Sequence, residues 1–110
     1  MARWFYTDVL GIPEKAVPVE LDSALLTWFA AGPDEHEIHC FVDADYQNRS
    51  TGAHLCLEVD DINDVRTRLA AHDVQIDETI AVHNRPRCFA RDPFGNQIEF
   101  TQINGLYQEA

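Results

Sequence analysis

The chain has 110 residues, 45% of them hydrophobic, enough for one domain with a true core and too few for two. Against 19 acidic residues it carries 8 Lys and Arg, a formal charge of −11, which argues against nucleic acid or an anionic membrane as main partner. No apolar run reaches membrane-spanning length, and Met1-Ala2-Arg3-Trp4 does not begin a signal peptide. Cys40, Cys56 and Cys88 are widely spaced and odd in number, a pattern of buried thiols in a reducing compartment, so a cytoplasmic location is expected.

Residues 2–10 read as a short helix with Trp4, Phe5 and Val9 on one stripe and Gly11 as its stop. Pro13 and Pro18 make residues 12–19 a loop with a short edge strand. A firmer strand is predicted over residues 24–31, closed by Gly32-Pro33-Asp34, and another over 35–42. In the latter Glu37, His39 and Phe41 share a face opposite Ile38, Cys40 and Val42. Residues 43–52 form a polar loop, the best boundary between two halves spanning 1–45 and 53–104.

The second half opens with a strand over residues 53–59, where His54, Cys56 and Glu58 alternate with Leu55, Leu57 and Val59. Asp60-Asp61-Ile62-Asn63-Asp64 supplies an N-cap and an acidic first turn to a helix reaching about His72, which buries Ile62, Val65 and Leu69. A strand over residues 74–80 and a loop over 81–86 precede a final hairpin. Its turn is Asp92-Pro93-Phe94-Gly95-Asn96, in which Pro93 presets φ and Gly95-Asn96 tolerate positive φ. On the outgoing strand Ile98 and Phe100 face one way, and Gln97, Glu99 and Thr101 the other. A carboxylate in the middle of an apolar strand needs a partner, so Glu99 poses the functional question.

In element order the second half is strand, helix and three strands, and the first half is the same unit without its opening strand. Three stretches carry a resemblance to a known family: Phe5-Tyr6-Thr7-Asp8-Val9-Leu10-Gly11, His54-Leu55-Cys56-Leu57-Glu58-Val59-Asp60-Asp61, and Arg91-Asp92-Pro93-Phe94-Gly95-Asn96-Gln97-Ile98-Glu99-Phe100. In this order and spacing the chain resembles the vicinal oxygen chelate superfamily of glyoxalase I, bleomycin resistance proteins and extradiol dioxygenases. The resemblance implies an α+β fold of two βαβββ modules curling around a shared cavity. It also implies that the first module lacks its opening strand, the chain starting inside the helix that follows it.

Metal-dependent members of that superfamily take ligands from the first and last strands of each module. Carried over, this implies His54 and Glu99 from module two and Glu37 or, competing with it, His39 from module one. Such a set suits Zn, Ni, Mn or Fe(II). The alternative is that these side chains line a polar cavity, bonded to each other or to water. Phe89 is a candidate pocket wall and Arg87 a candidate carboxylate clamp, with Cys56 and Phe41 as further lining. Arg91 is more simply a solvated strand end, Cys56 a buried structural thiol, and Trp28 core. The expected function is a metal-dependent lyase, isomerase or dioxygenase on a small oxygenated substrate, and for a lyase or isomerase the glyoxalase-type resemblance implies Glu99 or Glu37 as catalytic proton shuttle. The competing expectation is a non-catalytic binder of the bleomycin-resistance type. A sheet left open by an absent strand invites pairing with a second copy, so a homodimer is expected.

Overall fold

In the computed structural model, which describes residues 1–47 and 52–108, the chain divides into two units, Met1–Gln47 and Asn48–Ala110, each with one three-stranded sheet. The architecture is mixed α+β. Residues 48–51 of the polar loop expected between the halves lie outside the described residues.

In the first unit Trp4–Val9 winds as a π-helix, with the Leu10 N–H donating to the Phe5 carbonyl at 3.1 Å. Its buried face is Phe5, Tyr6 and Val9. This corrects the expected stripe: the Tyr6 ring meets Phe5 edge-on at 5.0 Å and Phe29 at 5.1 Å, while Trp4 stays at the surface. Three strands follow, β1 (Glu14–Lys15), β2 (Leu26–Ala30) and β3 (Glu37–Phe41), antiparallel in the order β1-β2-β3. β2 starts later than residue 24 because the Asp22 carboxylate caps a short 3₁₀ turn, Ser23–Leu25, accepting from the Ala24 N–H at 3.0 Å. β3 starts at Glu37 because Asp34 and Glu35 both take positive φ, 61° and 62°.

The second unit contains β4 (His54–Glu58), α1 (Ile62–Ala71), β5 (Arg87–Arg91) and β6 (Gln97–Thr101). β6 lies in the middle, parallel to β4 and antiparallel to β5. The helix begins where the acidic run placed it. Asp61 accepts from the Asn63 N–H at 2.9 Å, and the Gln102 side chain accepts from the Ile62 N–H at 2.9 Å. α1 packs on β6, and Ile62, Val65 and Leu69 are buried together with Cys88, Ala90, Ile98 and Phe100. One face of this sheet is therefore core, and the other is free to carry chemistry.

The strand expected over residues 74–80 is reduced to a single bridge, Asp77 to Phe89, with N–H···O distances of 2.8 and 2.9 Å. At the start of β5, the Arg87 carbonyl accepts from Arg66 Nη2 of the helix at 3.1 Å. The Arg66 guanidinium also pairs with Glu78, so the segment is tied to α1 rather than laddered onto β5. The hairpin turn forms as predicted. Asp92 Oδ1 accepts from the N–H groups of Phe94 and Asn96 at 3.0 and 2.9 Å, and Gly95 takes φ 88°.

Candidate functional site

The register of the second sheet sets which side chains meet. Cys56 and Phe89 flank Glu99, Glu58 and Arg87 flank Thr101, and His54 and Arg91 flank Gln97. Paired residues share a face, so His54, Cys56, Arg87, Phe89, Glu99 and Thr101 all project from the side away from Ile98 and Phe100. Leu55 and Leu57 lie on the other face, and Leu55 is still 48% exposed.

Glu99 is the hub of this face, its side chain only 13% exposed. The Thr101 hydroxyl donates to Oε2 at 2.7 Å, and Arg87 Nη1 lies 3.4 Å from the same oxygen. His54 Nε2 stands 3.1 Å from Oε1. Burial pushes the Glu99 carboxyl upward, but the bonds from Thr101, His54 and Arg87 outweigh it and hold the group below the ordinary glutamate value of 4.5. Around the hub, Cys56 Sγ donates to the Thr101 hydroxyl at 3.6 Å, and the Phe89 ring meets His54 edge-on at 5.1 Å. Cys56 is exposed, which corrects the expectation of a buried thiol: β4 is an edge strand, and α1 covers the opposite face of the sheet.

The His54 ring is oriented from behind. Nδ1 lies 2.9 Å from the Gly52 carbonyl, which can only accept, so Nδ1 carries a proton. Nε2 is thereby aimed at Glu99 Oε1, 3.1 Å away, where a proton or a cation can be shared between the two groups. A histidine backed by a carbonyl and a carboxylate backed by a hydroxyl is the donor chemistry of a divalent-cation site. Two donors of such a site fit. Among the described residues no group of three His, Cys, Asp or Glu side chains converges to hold an ion.

The first unit carries its own cluster. Lys15, Trp28 and His39 are in register across β1, β2 and β3, and His39 lies flat on Trp28 with ring centroids 3.6 Å apart. His39 Nε2 is 3.0 Å from Glu37 Oε1, while Lys15 pairs with both Glu35 and Glu37. Lys15 first and His39 second hold the Glu37 carboxyl below its ordinary value. Trp28 Nε1 is buried without a hydrogen-bond partner. Phe41 shares the face of Glu37 and His39 but is 70% exposed. The expected competitors Glu37 and His39 are thus bonded to each other.

Sequence reading missed Thr101 and Lys15. Thr101 had a signal, since alternation puts it on the face of Glu99 two residues away. Lys15 had none, because its meeting with Glu37 depends on the register of a two-residue strand.

Residues 1–100 match the family model described as Glyoxalase/Bleomycin resistance protein/Dioxygenase superfamily. Among solved structures, a glyoxalase family protein from Bacillus anthracis is 31% identical with TM-score 0.81, the match covering 93% of this chain and 81% of that one. Lactoylglutathione lyase from Agrobacterium tumefaciens is 24% identical with TM-score 0.65, covering 92% and 82%. TnmS3, an antibiotic binding protein from Streptomyces sp. CB03234, is 20% identical with TM-score 0.72, covering 93% and 84%. The last two establish likeness of fold alone. No curated protein matches the sequence.

Proposed function

Since the chain belongs to the Glyoxalase/Bleomycin resistance protein/Dioxygenase superfamily, we propose that it is a divalent-metal-dependent enzyme acting on a small oxygenated molecule. The observation behind this reading is the His54–Glu99 pair, 3.1 Å apart on one sheet face, each partner steadied by a second group. In this reading His54 Nε2 and Glu99 Oε1 are two of the protein ligands. A divalent ion bound there supplies Lewis-acid polarisation of substrate oxygens. Released from the ion, Glu99 Oε1 can take a proton from the substrate carbon or oxygen and return it, with Thr101 and Arg87 holding Oε2 and stabilising the ionised carboxylate between transfers. Phe89 walls the site beside His54, and Cys56 lies at its margin.

The experiment is metal analysis of gently purified protein beside His54→Ala. Stoichiometric Zn, Ni, Mn or Fe in the wild type, lost in the variant, supports the enzyme. Equal, substoichiometric metal in both counts against it. Membership alone does not decide, because this fold occurs in a lactoylglutathione lyase and in an antibiotic binding protein.

A second reading is a non-catalytic small-molecule binder, favoured by Arg87, whose guanidinium already lies against Glu99 and compensates part of its charge. Unchanged affinity for a small ligand after exhaustive chelation would select it. For either reading we propose a cytoplasmic homodimer. β3 and β4 are sheet edges, and Phe41 and Leu55 on them are exposed apolar residues open to a second copy. Light scattering giving the mass of one chain would refute the dimer. Among the described residues no helix is long and apolar enough to cross a membrane.

A further inference from the structure

A cavity of about 380 Å³ opens in the second unit between the segment 78–87 and Asn104. Three of the chain's 8 basic residues, Arg66, Arg85 and Arg87, line it, although acidic residues outnumber basic ones by 19 to 8 in the whole sequence. Glu78 is the one carboxylate in the lining, and it is paired with Arg66. In a chain of charge −11, a cavity with three guanidinium groups and one carboxylate is a local reversal of sign.

Among the described residues Arg85 hydrogen-bonds to carbonyl oxygens alone, which orient a cation without cancelling its charge, while Arg66 also pairs with Glu78 and Arg87 with Glu99. Arg85 Nη1 donates to the carbonyls of Asn84 at 2.8 Å and Gly105 at 2.5 Å, and its Cζ lies 3.9 Å from the centre of the Tyr107 ring. Arg87 Nη2 donates to the Ile80 carbonyl at 3.0 Å, and its Nε is buried without a hydrogen-bond partner. Arg66 Nη2 donates to the Arg87 carbonyl at 3.1 Å. Thr79 and Asn84 add neutral polar groups to the lining, while Ile80 and Val82 add apolar ones. Fixed, incompletely neutralised forks of this kind suit a planar or tetrahedral oxyanion.

We infer that this cavity binds a small organic anion through a carboxylate or phosphate group, the apolar wall taking the body of the molecule. The inference does not depend on the metal reading of His54 and Glu99. It gives Arg87 a double position, because Nη1 reaches Glu99 while Nη2 is anchored at the rim of the cavity. An anion seated there competes with Glu99 for the same cation.

The test is a titration of isotope-labelled wild-type protein with sodium phosphate and, separately, with succinate, at constant ionic strength set by chloride. Backbone amides of residues 79–85 and the arginine Nε–H signals are followed by NMR. Saturable shifts confined to this region are expected. A response to phosphate alone identifies a phosphate ester as the ligand class, a response to succinate alone a carboxylate, and a response to both a general oxyanion site. Arg85→Gln and Arg87→Gln should each weaken binding by about tenfold or more, the worth of one charge-assisted hydrogen bond. Arg91→Gln removes the same charge from the far end of β5, outside the lining, and should stay within about twofold of wild type. Should Arg85→Gln fail to fold, the wild-type titration and Arg87→Gln decide. Linear, non-saturating shifts in the wild type overturn the inference, as does equal weakening by Arg91→Gln.

Discussion

Replacing Glu99 by Gln keeps the shape of the hub and removes its charge, so it separates what the residue does for folding from what it does for an ion. The Gln carbonyl can still accept from the Thr101 hydroxyl, which now sits 2.7 Å from Oε2. Its amide can keep the contact with His54 Nε2, which lies 3.1 Å from Oε1 in the wild type. The loss is the attraction of Arg87 across 3.4 Å. At an effective dielectric near 20 this attraction is roughly 5 kcal/mol gross, and desolvation of the pair leaves a net of about 1 kcal/mol. In the metal-free protein Glu99→Gln should therefore melt about 4 °C below wild type. An ion held at a concentration of about 100 Kd adds roughly 2.7 kcal/mol to the wild type, a rise of about 10 °C. The variant should lose nearly all of that rise. The assay is differential scanning calorimetry of chelated protein with and without added Zn, Ni or Mn. The reasoning fails if the wild type gains nothing from any of them, or if Glu99→Gln keeps more than half of the gain.

Asp92→Ala removes an acceptor of three turn donors, including Asn96 Nδ2 at 2.9 Å, from a residue 5% exposed. It should cost about 2–4 kcal/mol and, at an m-value of about 2 kcal/mol/M, lower the urea midpoint by about 1–2 M. A midpoint unchanged within error would make the turn bonds incidental. The thiols should react unequally. Cys56 is exposed and should take up a disulfide reagent promptly at pH 8. Burial raises the Cys88 thiol above its ordinary 9.0, against a smaller opposing pull from Arg66, so it should react only on unfolding. Peptide mapping after timed labelling checks this, and equal rates at the two sites would refute the burial argument.

The second unit was the more legible in sequence. Alternation over His54–Glu58 and Gln97–Thr101, an aspartate before an apolar helical stripe, and Asp-Pro-Phe-Gly-Asn at the turn are local signals, and each became the expected element. Residues 74–80 misled because β-branched residues there satisfy a strand pattern, while a long-range ion pair, Arg66 with Glu78, decides where the segment goes. The first helix misled because α periodicity cannot anticipate π winding, which carries Tyr6 inward. Of the proposed site, residue types and faces could be read in advance. The partners of Glu99 could not, since they depend on which strands lie beside β6, and only three-dimensional pairing sets that.

That pairing also has a consequence in time. β4 and β6 run side by side and parallel, and the hydrogen bond between His54 and Glu99 joins residues 45 positions apart. Parallel neighbours cannot form by zipping from a turn, so β4 must wait for the helix, for β5 and for the last strand before it has a partner. During synthesis His54 is made early and stays unpaired until residue 99 and its flanking strand have emerged. The pair therefore arises in one late docking step, and a chain cut short before β6 would hold neither half of the site in place.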